Sequence, residues 1–120
     1  MFDLVKEVSM IKLQGLVWMV GMVLLSSCTK PSQSSQHDLA RKGKSIYQTT
    51  CIACHNTDPK KNGPMGPSSW GASLELLKKR IKEAGYPEGY APKQQTKLMQ
   101  PLPKISDQDI EAIHAYLNER

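Results

Sequence analysis

Two cysteines and a histidine stand close together in the run Cys51-Ile52-Ala53-Cys54-His55. On a helical turn, sulfur atoms at positions i and i+3 point to the same side, where they can form thioether bonds with the two vinyl groups of a haem. The imidazole of the next residue can place a nitrogen on the iron. Because Cys-x-x-Cys-His is the attachment pattern of c-type haem, the run predicts one covalently bound haem c, held by Cys51, Cys54 and His55.

Three other uses of the two thiols are open. A thioredoxin-like redox pair would require a strand–helix context, which the surrounding sequence does not predict. A structural zinc site needs four ligands, so His37 or His114 would have to complete it. A plain disulfide between Cys51 and Cys54 would account for no other feature. Haem attachment is favoured, because it takes place outside the cytoplasm and the N-terminus independently predicts export.

The N-terminus has the order of a secretory signal. Lys6 and Lys12 precede an apolar stretch over residues 15–25, and small residues follow it. As a helix this stretch would be about 16 Å long, too short for the hydrocarbon core of a bilayer, which is about 30 Å thick. Residues 1–27 are therefore predicted to be a signal peptide that is removed, which places the mature protein in the bacterial periplasm or on the outer face of a membrane.

The apolar stretch ends with a leucine, two serines and Cys28, an order that resembles the lipobox of bacterial lipoproteins. The resemblance implies cleavage before Cys28 and a diacylglycerol on its sulfur, and two or three acyl chains anchor a protein stably. The alternatives are an ordinary signal peptide that leaves Cys28 as a spare thiol, or an uncleaved anchor helix. Residues 28–37 are predicted to be the lipidated cysteine and a flexible tether in which His37 is solvated.

A haem iron has a sixth position, and its occupant decides what the protein does. A stable protein ligand closes the site for electron transfer, whereas an open site permits catalysis or gas binding. Beyond the predicted signal, the methionines are Met65 and Met99. Met65 follows His55 too closely to reach the opposite face of the haem with ease, so Met99 is predicted to be the second axial ligand. Either side chain could instead fill a gap in the core.

Three stretches have the periodicity and end signals of helices. The first is capped by Asp38 and predicted over residues 39–50; Gly43 in its middle predicts close approach by another backbone. Ser73 opens the second helix, which ends at Gly85. The predicted buried positions of the three helices are Leu39, Ile46 and Tyr47; Leu74, Leu77 and Ile81; and Ile110, Ile113 and Leu117.

The third helix has the clearest start. Ser106 is the predicted N-cap, Asp109 lies three residues further on, and Ile105 and Ile110 can form a hydrophobic staple. The stretches 56–72 and 86–104 are rich in glycine and proline and are predicted to be irregular. No alternating strand pattern or internal repeat is visible. The sequence thus predicts one all-α domain with three main helices and long Gly/Pro-rich loops around one haem.

Residues 39–118 resemble the class I cytochrome c family, which implies a cytochrome c domain over residues 38–120. Gly43 and Tyr47 precede Cys51 at the spacing of the family's first helix. In that family the glycine packs against an aromatic residue of the last helix, which would be Tyr116 in this chain.

The resemblance extends to the segment after the haem motif. The Gly-Pro pair of the family matches Gly66-Pro67, and Gly63-Pro64 is a second candidate. In the family, the carbonyl of that proline accepts a hydrogen bond from the axial histidine, so Pro67 would orient His55 and raise its basicity.

The last part of the chain follows the same family. Residues 97–103 resemble the methionine loop around Met99, although Gln100 is inserted before the usual proline, and residues 105–110 resemble the start of the last helix. Trp70, Tyr86 and Tyr90 could line the haem or donate to its propionates; ordinary packing in the loops is the alternative.

Composition agrees with a small exported domain that encloses a cofactor. The chain has 120 residues and few aromatic residues (6%), so a haem would supply apolar bulk to the core. The formal net charge of +5 favours redox partners with acidic docking surfaces. Nucleic acid is not expected, because the basic residues are scattered and the densest cluster, Lys78-Lys79-Arg80 with Lys82, is typical of a solvated helix face.

These observations predict a membrane-tethered, single-haem electron carrier that acts on no small-molecule substrate and is not an enzyme. A haem enzyme or gas sensor with a labile sixth ligand is one alternative. A cytochrome subunit fixed to a larger oxidase or reductase is another.

Overall fold

The computed structural model describes residues 33–94 and 98–120. Their elements are helix α1 (Gln33–Thr50), helix α2 (Leu74–Glu83) and helix α3 (Asp107–Leu117), and the described residues contain no strand. The all-α prediction with three main helices is confirmed. The predicted signal peptide, Cys28 and the first part of the predicted tether lie outside the described residues.

Helix α1 begins earlier than predicted, at Gln33. Asp38, the predicted cap, lies inside the helix and forms an ion pair with Arg41 one turn later, with both side chains exposed. Residues 33–37, which belong to the predicted tether, are therefore helical, and His37 is exposed as expected. A polar, exposed first turn has no apolar periodicity, so the sequence pattern did not reveal it.

The buried face of helix α1 is formed by Ala40, Gly43 and Tyr47. Their spacing of i, i+3 and i+7 places them on one stripe. The prediction that Leu39 is buried was wrong, because it lies beside that stripe and 38% of it is exposed. Small residues on the stripe let the helix approach its neighbour closely.

Helices α1 and α3 touch through their backbones at Gly43. A Cβ atom at this position would lie 1.8 Å from the Ala112 carbonyl oxygen and 2.8 Å from the Ile113 nitrogen. The prediction of close backbone approach is confirmed, and the atoms nearest to such a Cβ belong to the backbone of Ala112 and Ile113. Tyr116 packs on Tyr47, with ring centroids 5.6 Å apart and planes inclined by 57°.

Helix α2 has a side-chain cap at its start and a left-handed residue at its end. The Ser73 hydroxyl accepts a hydrogen bond from the Leu76 N–H at 3.2 Å. At the other end Ala84 has φ 54°, and the Gly85 N–H donates to the Lys79 carbonyl. The left-handed residue is thus Ala84, one position before Gly85, where the helix was predicted to end. Its Cβ makes this conformation sterically unfavourable.

Replacing Ala84 with Gly should raise the free energy of unfolding by about 0.5–1 kcal/mol, because glycine relieves the Cβ strain at some cost in unfolded-state entropy. Urea denaturation measures the change. Ala115→Gly, in the regular interior of helix α3, should instead lower the free energy of unfolding by about 1 kcal/mol. Similar losses in both variants would contradict the assignment of strain to Ala84.

Helix α3 begins with the predicted capping box. The Ser106 hydroxyl accepts from the Asp109 N–H, and the Asp109 carboxylate accepts from the Ser106 N–H. An ion pair of 2.8 Å joins that carboxylate to Lys42 of helix α1. The Lys42 hydrogen bond, followed by those of Ser106, lowers the pKa of Asp109 to about 2. The cap of helix α3 is thus also a contact with helix α1.

The core lies where the three helices meet the irregular segments. Ile105, the predicted staple residue, packs against it, as do Ile46 and Leu74, which are half-buried. Among the described residues no helix is long and apolar enough to cross a membrane. The fully or nearly buried residues of the core are Tyr47, Leu77, Ile81, Ile110, Ile113, Tyr116 and Leu117.

Candidate cofactor site

The Cys-x-x-Cys-His run forms a tight turn at the end of helix α1. The Cys51 N–H donates to the Tyr47 carbonyl at 2.9 Å, and the His55 N–H donates to the Cys51 carbonyl at 2.9 Å. No disulfide joins Cys51 and Cys54, and both residues are half-buried. Burial, and then the neighbouring Cys54, raise the pKa of Cys51 to about 11, so this thiol is neutral at pH 7.

A cavity of about 510 Å³ opens beside this turn. Its volume falls within the range of about 300–1,000 Å³ that is usual for small-molecule and cofactor sites. Helix α2 contributes Leu76, Leu77 and Ile81 to its wall. The cavity brings together every cofactor-binding residue predicted within the domain: Cys51, Cys54, His55, Pro67, Trp70 and Met99.

The imidazole of His55 is fixed by the loop that follows it. Its Nδ1 lies 2.9 Å from the Pro67 carbonyl oxygen. Because a carbonyl can only accept, Nδ1 carries the proton, which leaves Nε2 of the neutral ring unprotonated and able to bind a metal. A Cβ atom on Gly66 would lie 2.7 Å from His55 Cε1, so the ring rests against this glycine.

Gly66-Pro67 is thus the pair that orients His55, as the resemblance implied. The second candidate pair serves another contact. A Cβ atom on Gly63 would lie 2.4 Å from the Cys54 carbonyl oxygen, so Gly63 packs against the backbone of the motif. Both glycines are required by close approach rather than by backbone conformation.

Met65 and Met99 both line the cavity, and they belong to different segments of the chain. The Met65 N–H donates to the Cys54 carbonyl at 3.2 Å, which puts this residue on the loop that carries the motif, and 47% of it is exposed. Met99 is half-buried and packs against the core. The Leu102 N–H, just beyond it, donates to the Ile81 carbonyl of helix α2 at 2.7 Å.

Three aromatic residues reach the cavity wall, and each is also packed by a neighbour. The rings of Tyr86 and Tyr90 are stacked with centroids 5.5 Å apart, and the Arg80 guanidinium lies 4.3 Å from the Tyr86 centroid. The Lys60 ammonium lies 4.4 Å over the Trp70 ring. These three side chains therefore line the cavity and also pack against neighbouring residues, so both predicted alternatives apply to them.

Sequence reasoning missed several residues of the site. Arg80 was assigned to a solvated face but lines the cavity, and Lys93 lines it while its ammonium donates to the Ser68 carbonyl at 3.1 Å. His114 does not line the cavity. In the part of the chain that the structure describes, no group of three or more ligand-type side chains is placed to hold a metal ion.

Tyr47 was predicted as a core residue, but its hydroxyl also organises the loop beside the motif. The side chain is 2% exposed, and its hydroxyl donates to the Asn56 carbonyl at 2.9 Å and accepts from Ser69 at 3.0 Å. Burial raises its pKa. A buried tyrosine needs a partner for its hydroxyl, so the sequence signalled that a partner exists without identifying it.

The geometry defines a small all-α protein in which a Cys-x-x-Cys-His turn lines a cavity of a size suited to a cofactor. A family model described as Cytochrome c matches residues 40–120, and the chain belongs to the cytochrome c family. Among curated proteins, "Cytochrome c-554(548)" of Halomonas halodenitrificans is 36% identical over 72 residues, which cover 59% of this chain and 84% of that protein. No solved structure gives a significant match.

Membership of this family implies covalently bound haem c, and Cys51 with Cys54 fits the attachment motif. The residues present also fit a haem independently of the family match. Two thiols lie on one turn, His55 has an unprotonated Nε2, and much of the wall beside them is made by leucine, isoleucine and aromatic side chains. The protein is a c-type cytochrome of electron transfer.

Proposed function

We propose that the protein is a membrane-tethered carrier that passes single electrons between exported redox proteins, with His55 and Met99 as the axial ligands of one haem c. When bound, the haem takes up and releases one electron as its iron alternates between the ferric and ferrous states. The chain supplies two thiols for attachment, a fixed imidazole, a methionine thioether and a largely apolar pocket.

The observation that carries the proposal is that His55 and Met99 line one cavity and belong to different segments of the chain. His55 is held by the Pro67 carbonyl on the motif loop, whereas Met99 lies on the segment bonded to helix α2. Met65, by contrast, is tied to the motif loop on which His55 lies. A histidine and a methionine supplied by different segments would support a closed, six-coordinate iron, which suits electron transfer rather than substrate binding.

In this proposal the thioether of Met99 influences the reduction potential of the iron. Sulfur from methionine is a soft ligand that favours ferrous iron and raises the reduction potential. Trp70 and Pro67 contribute to the pocket, the first as an aromatic wall and the second by orienting His55. Basic groups at the cavity, Arg80 and Lys93, fit partners with acidic docking surfaces.

Export and anchoring rest on residues 1–28, which lie outside the described part of the chain. The apolar stretch, the small residues and the position of Cys28 support cleavage before this cysteine and lipidation of its sulfur. Export also supplies the compartment in which haem c is attached to thiols. A lipid-anchored carrier on the outer face of a membrane therefore accounts for all three cysteines.

The experiment is expression of the full chain in a bacterium that matures c-type cytochromes. We expect the intact mass to include one haem and acyl chains, a pyridine haemochrome of the c type, one reversible one-electron wave in voltammetry, and no CO binding by the ferrous protein at neutral pH. Ready CO binding would instead indicate an enzyme or gas sensor. Stable recovery with a larger oxidase or reductase from detergent extract would indicate a fixed subunit.

Cys28→Ala tests the anchor separately. The intact mass of the variant should no longer include acyl chains, because the sulfur that carries them is gone, while its haem content stays that of the unmodified chain. Mass spectrometry and haem staining measure the two effects. Acyl chains of unchanged mass in the variant would contradict lipidation at this residue.

A further inference from the structure

Lys82 links helix α2 to the segment that leads into helix α3. Its ammonium donates to the Ile105 carbonyl at 2.5 Å and lies 3.3 Å from the Asp107 carboxylate. The side chain is 32% exposed, and the bond to Ile105 spans 23 residues of sequence. A charge-assisted hydrogen bond between distant segments, partly shielded from water, restrains them more than an exposed pair within one helix does.

A second hydrogen bond joins helix α2 to the same segment. Because helix α2 ends with a left-handed Ala84, the Gly85 N–H donates to the Lys79 carbonyl and not to that of Ile81. The Ile81 carbonyl accepts instead from the Leu102 N–H at 2.7 Å. Two consecutive residues at the end of helix α2 thus hold the same segment.

The segment between these bonds is itself a turn. The Ile105 N–H donates to the Leu102 carbonyl at 3.1 Å, so the two attachment points are joined by a local hydrogen bond. Met99 lies three residues before Leu102, half-buried against the core at the wall of the cavity. The bonds at 102 and 105 therefore limit how far the segment that carries Met99 can move away from this wall.

We infer that Lys82 is a positioning residue for the sixth iron ligand: by holding the Ile105 carbonyl it keeps the segment 98–105 on helix α2 and keeps Met99 at the cavity. The inference rests on the proposed role of Met99. A ligand from outside can reach the sixth position only when Met99 leaves it, so its binding rate reports how often the segment opens.

Lys79 provides a matched control on the same helix. Its ammonium pairs with Glu83 at 2.7 Å, one turn further along, and both side chains are substantially exposed. Lys79→Met therefore removes the same charge and adds the same side chain as Lys82→Met, but it leaves the bonds to the segment 98–105 intact.

The experiment measures the rate at which imidazole binds to the ferric, haem-loaded full chain. Lys82→Met should bind imidazole about tenfold faster than the unmodified protein, as loss of one charge-assisted hydrogen bond implies. Lys79→Met should stay within about twofold of it, because an exposed pair contributes little. Lys82→Arg, which retains a charged donor, should restore most of the slow rate.

Two further measurements separate positioning from general weakening. Hydrogen exchange at the Leu102 amide should accelerate in Lys82→Met while the amides of helix α1 stay protected. Asp107→Asn removes the ion pair but leaves the Ile105 bond, so its imidazole rate should remain close to that of the unmodified protein. If Lys82→Met fails to retain haem, Lys82→Arg and Asp107→Asn still test the assignment, since faster binding in either would contradict it.

Equal imidazole rates in Lys82→Met and Lys79→Met would overturn the inference. This result differs from failure of the proposed function. If the unmodified ferric protein lacks the weak long-wavelength absorption of sulfur bound to iron, Met99 is not the ligand and the proposed function fails. If that absorption is present and the Lys82→Met rate is unchanged, only the positioning role of Lys82 fails.

Discussion

Gly43→Ala should lower the free energy of unfolding by about 3 kcal/mol or more, which is at the upper end of the cost of overpacking. The added Cβ would lie 1.8 Å from the Ala112 carbonyl oxygen and 2.3 Å from its carbon. Both atoms belong to the backbone of helix α3, so no rotamer change relieves the contact. The helices would have to separate, and the buried residues on both sides, including Tyr47 and Ile113, would lose contacts.

Urea unfolding of the haem-loaded ferric protein measures this effect. Gly85→Ala is the matched control, because its Cβ would meet nothing closer than the Glu83 Cβ at 3.9 Å and its φ is not in the left-handed range. We expect the control to change the free energy of unfolding by no more than about 0.5 kcal/mol. A loss below about 1 kcal/mol in Gly43→Ala would mean that the crossing of the two helices tolerates separation and that their backbone contact is not required.

The sequence predicted close approach at Gly43 but not the backbone atoms that lie nearest to it. A glycine inside a helix costs about 1 kcal/mol relative to alanine, so its presence signals close approach. Which atom approaches depends on the angle and register of two helices that are distant in sequence. The resemblance suggested Tyr116 of the last helix, and the atoms that lie nearest to Gly43 are backbone atoms of Ala112, one turn earlier in helix α3.

Features decided by neighbouring residues were predicted well. The capping box at Ser106 and Asp109 and the cap at Ser73 depend on residues within four positions, and both are present. Helix α1 shows the opposite case. Its first turns are polar and exposed, so no pattern marked its start at Gln33, and Leu39 was assigned to the wrong face.

The same distinction between features predicted and not predicted from sequence applies to the cofactor site. The motif residues follow from spacing alone, and the hydrogen bond between His55 and the Pro67 carbonyl was implied by resemblance and is present. The contacts of Arg80, Lys82 and Lys93 were not predicted, because each joins a side chain to a backbone carbonyl or ring of an irregular segment. The sequence placed Arg80 and Lys82 only on a solvated helix face.

Met99→Ala should abolish the weak long-wavelength absorption of sulfur bound to ferric iron and allow the ferrous protein to bind CO. The variant also loses the soft ligand that favours ferrous iron, so its reduction potential should fall by about 0.1 V or more, within the range of about 0.8 V that axial ligands control. Absorption spectroscopy, CO titration and voltammetry measure the three effects.

Two further variants separate ligation from packing. Met99→Leu nearly conserves volume and removes the sulfur, so it should lose the absorption as Met99→Ala does while lowering the free energy of unfolding less than Met99→Ala, which also leaves a cavity. Met65→Ala removes the other methionine of the cavity wall, which is largely exposed and tied to the motif loop. This variant should keep the absorption, the potential and the exclusion of CO. Loss of the absorption in Met65→Ala, with its retention in Met99→Leu, would reverse the assignment, place both iron ligands on the motif loop and leave the wall beside helix α2 without a ligand.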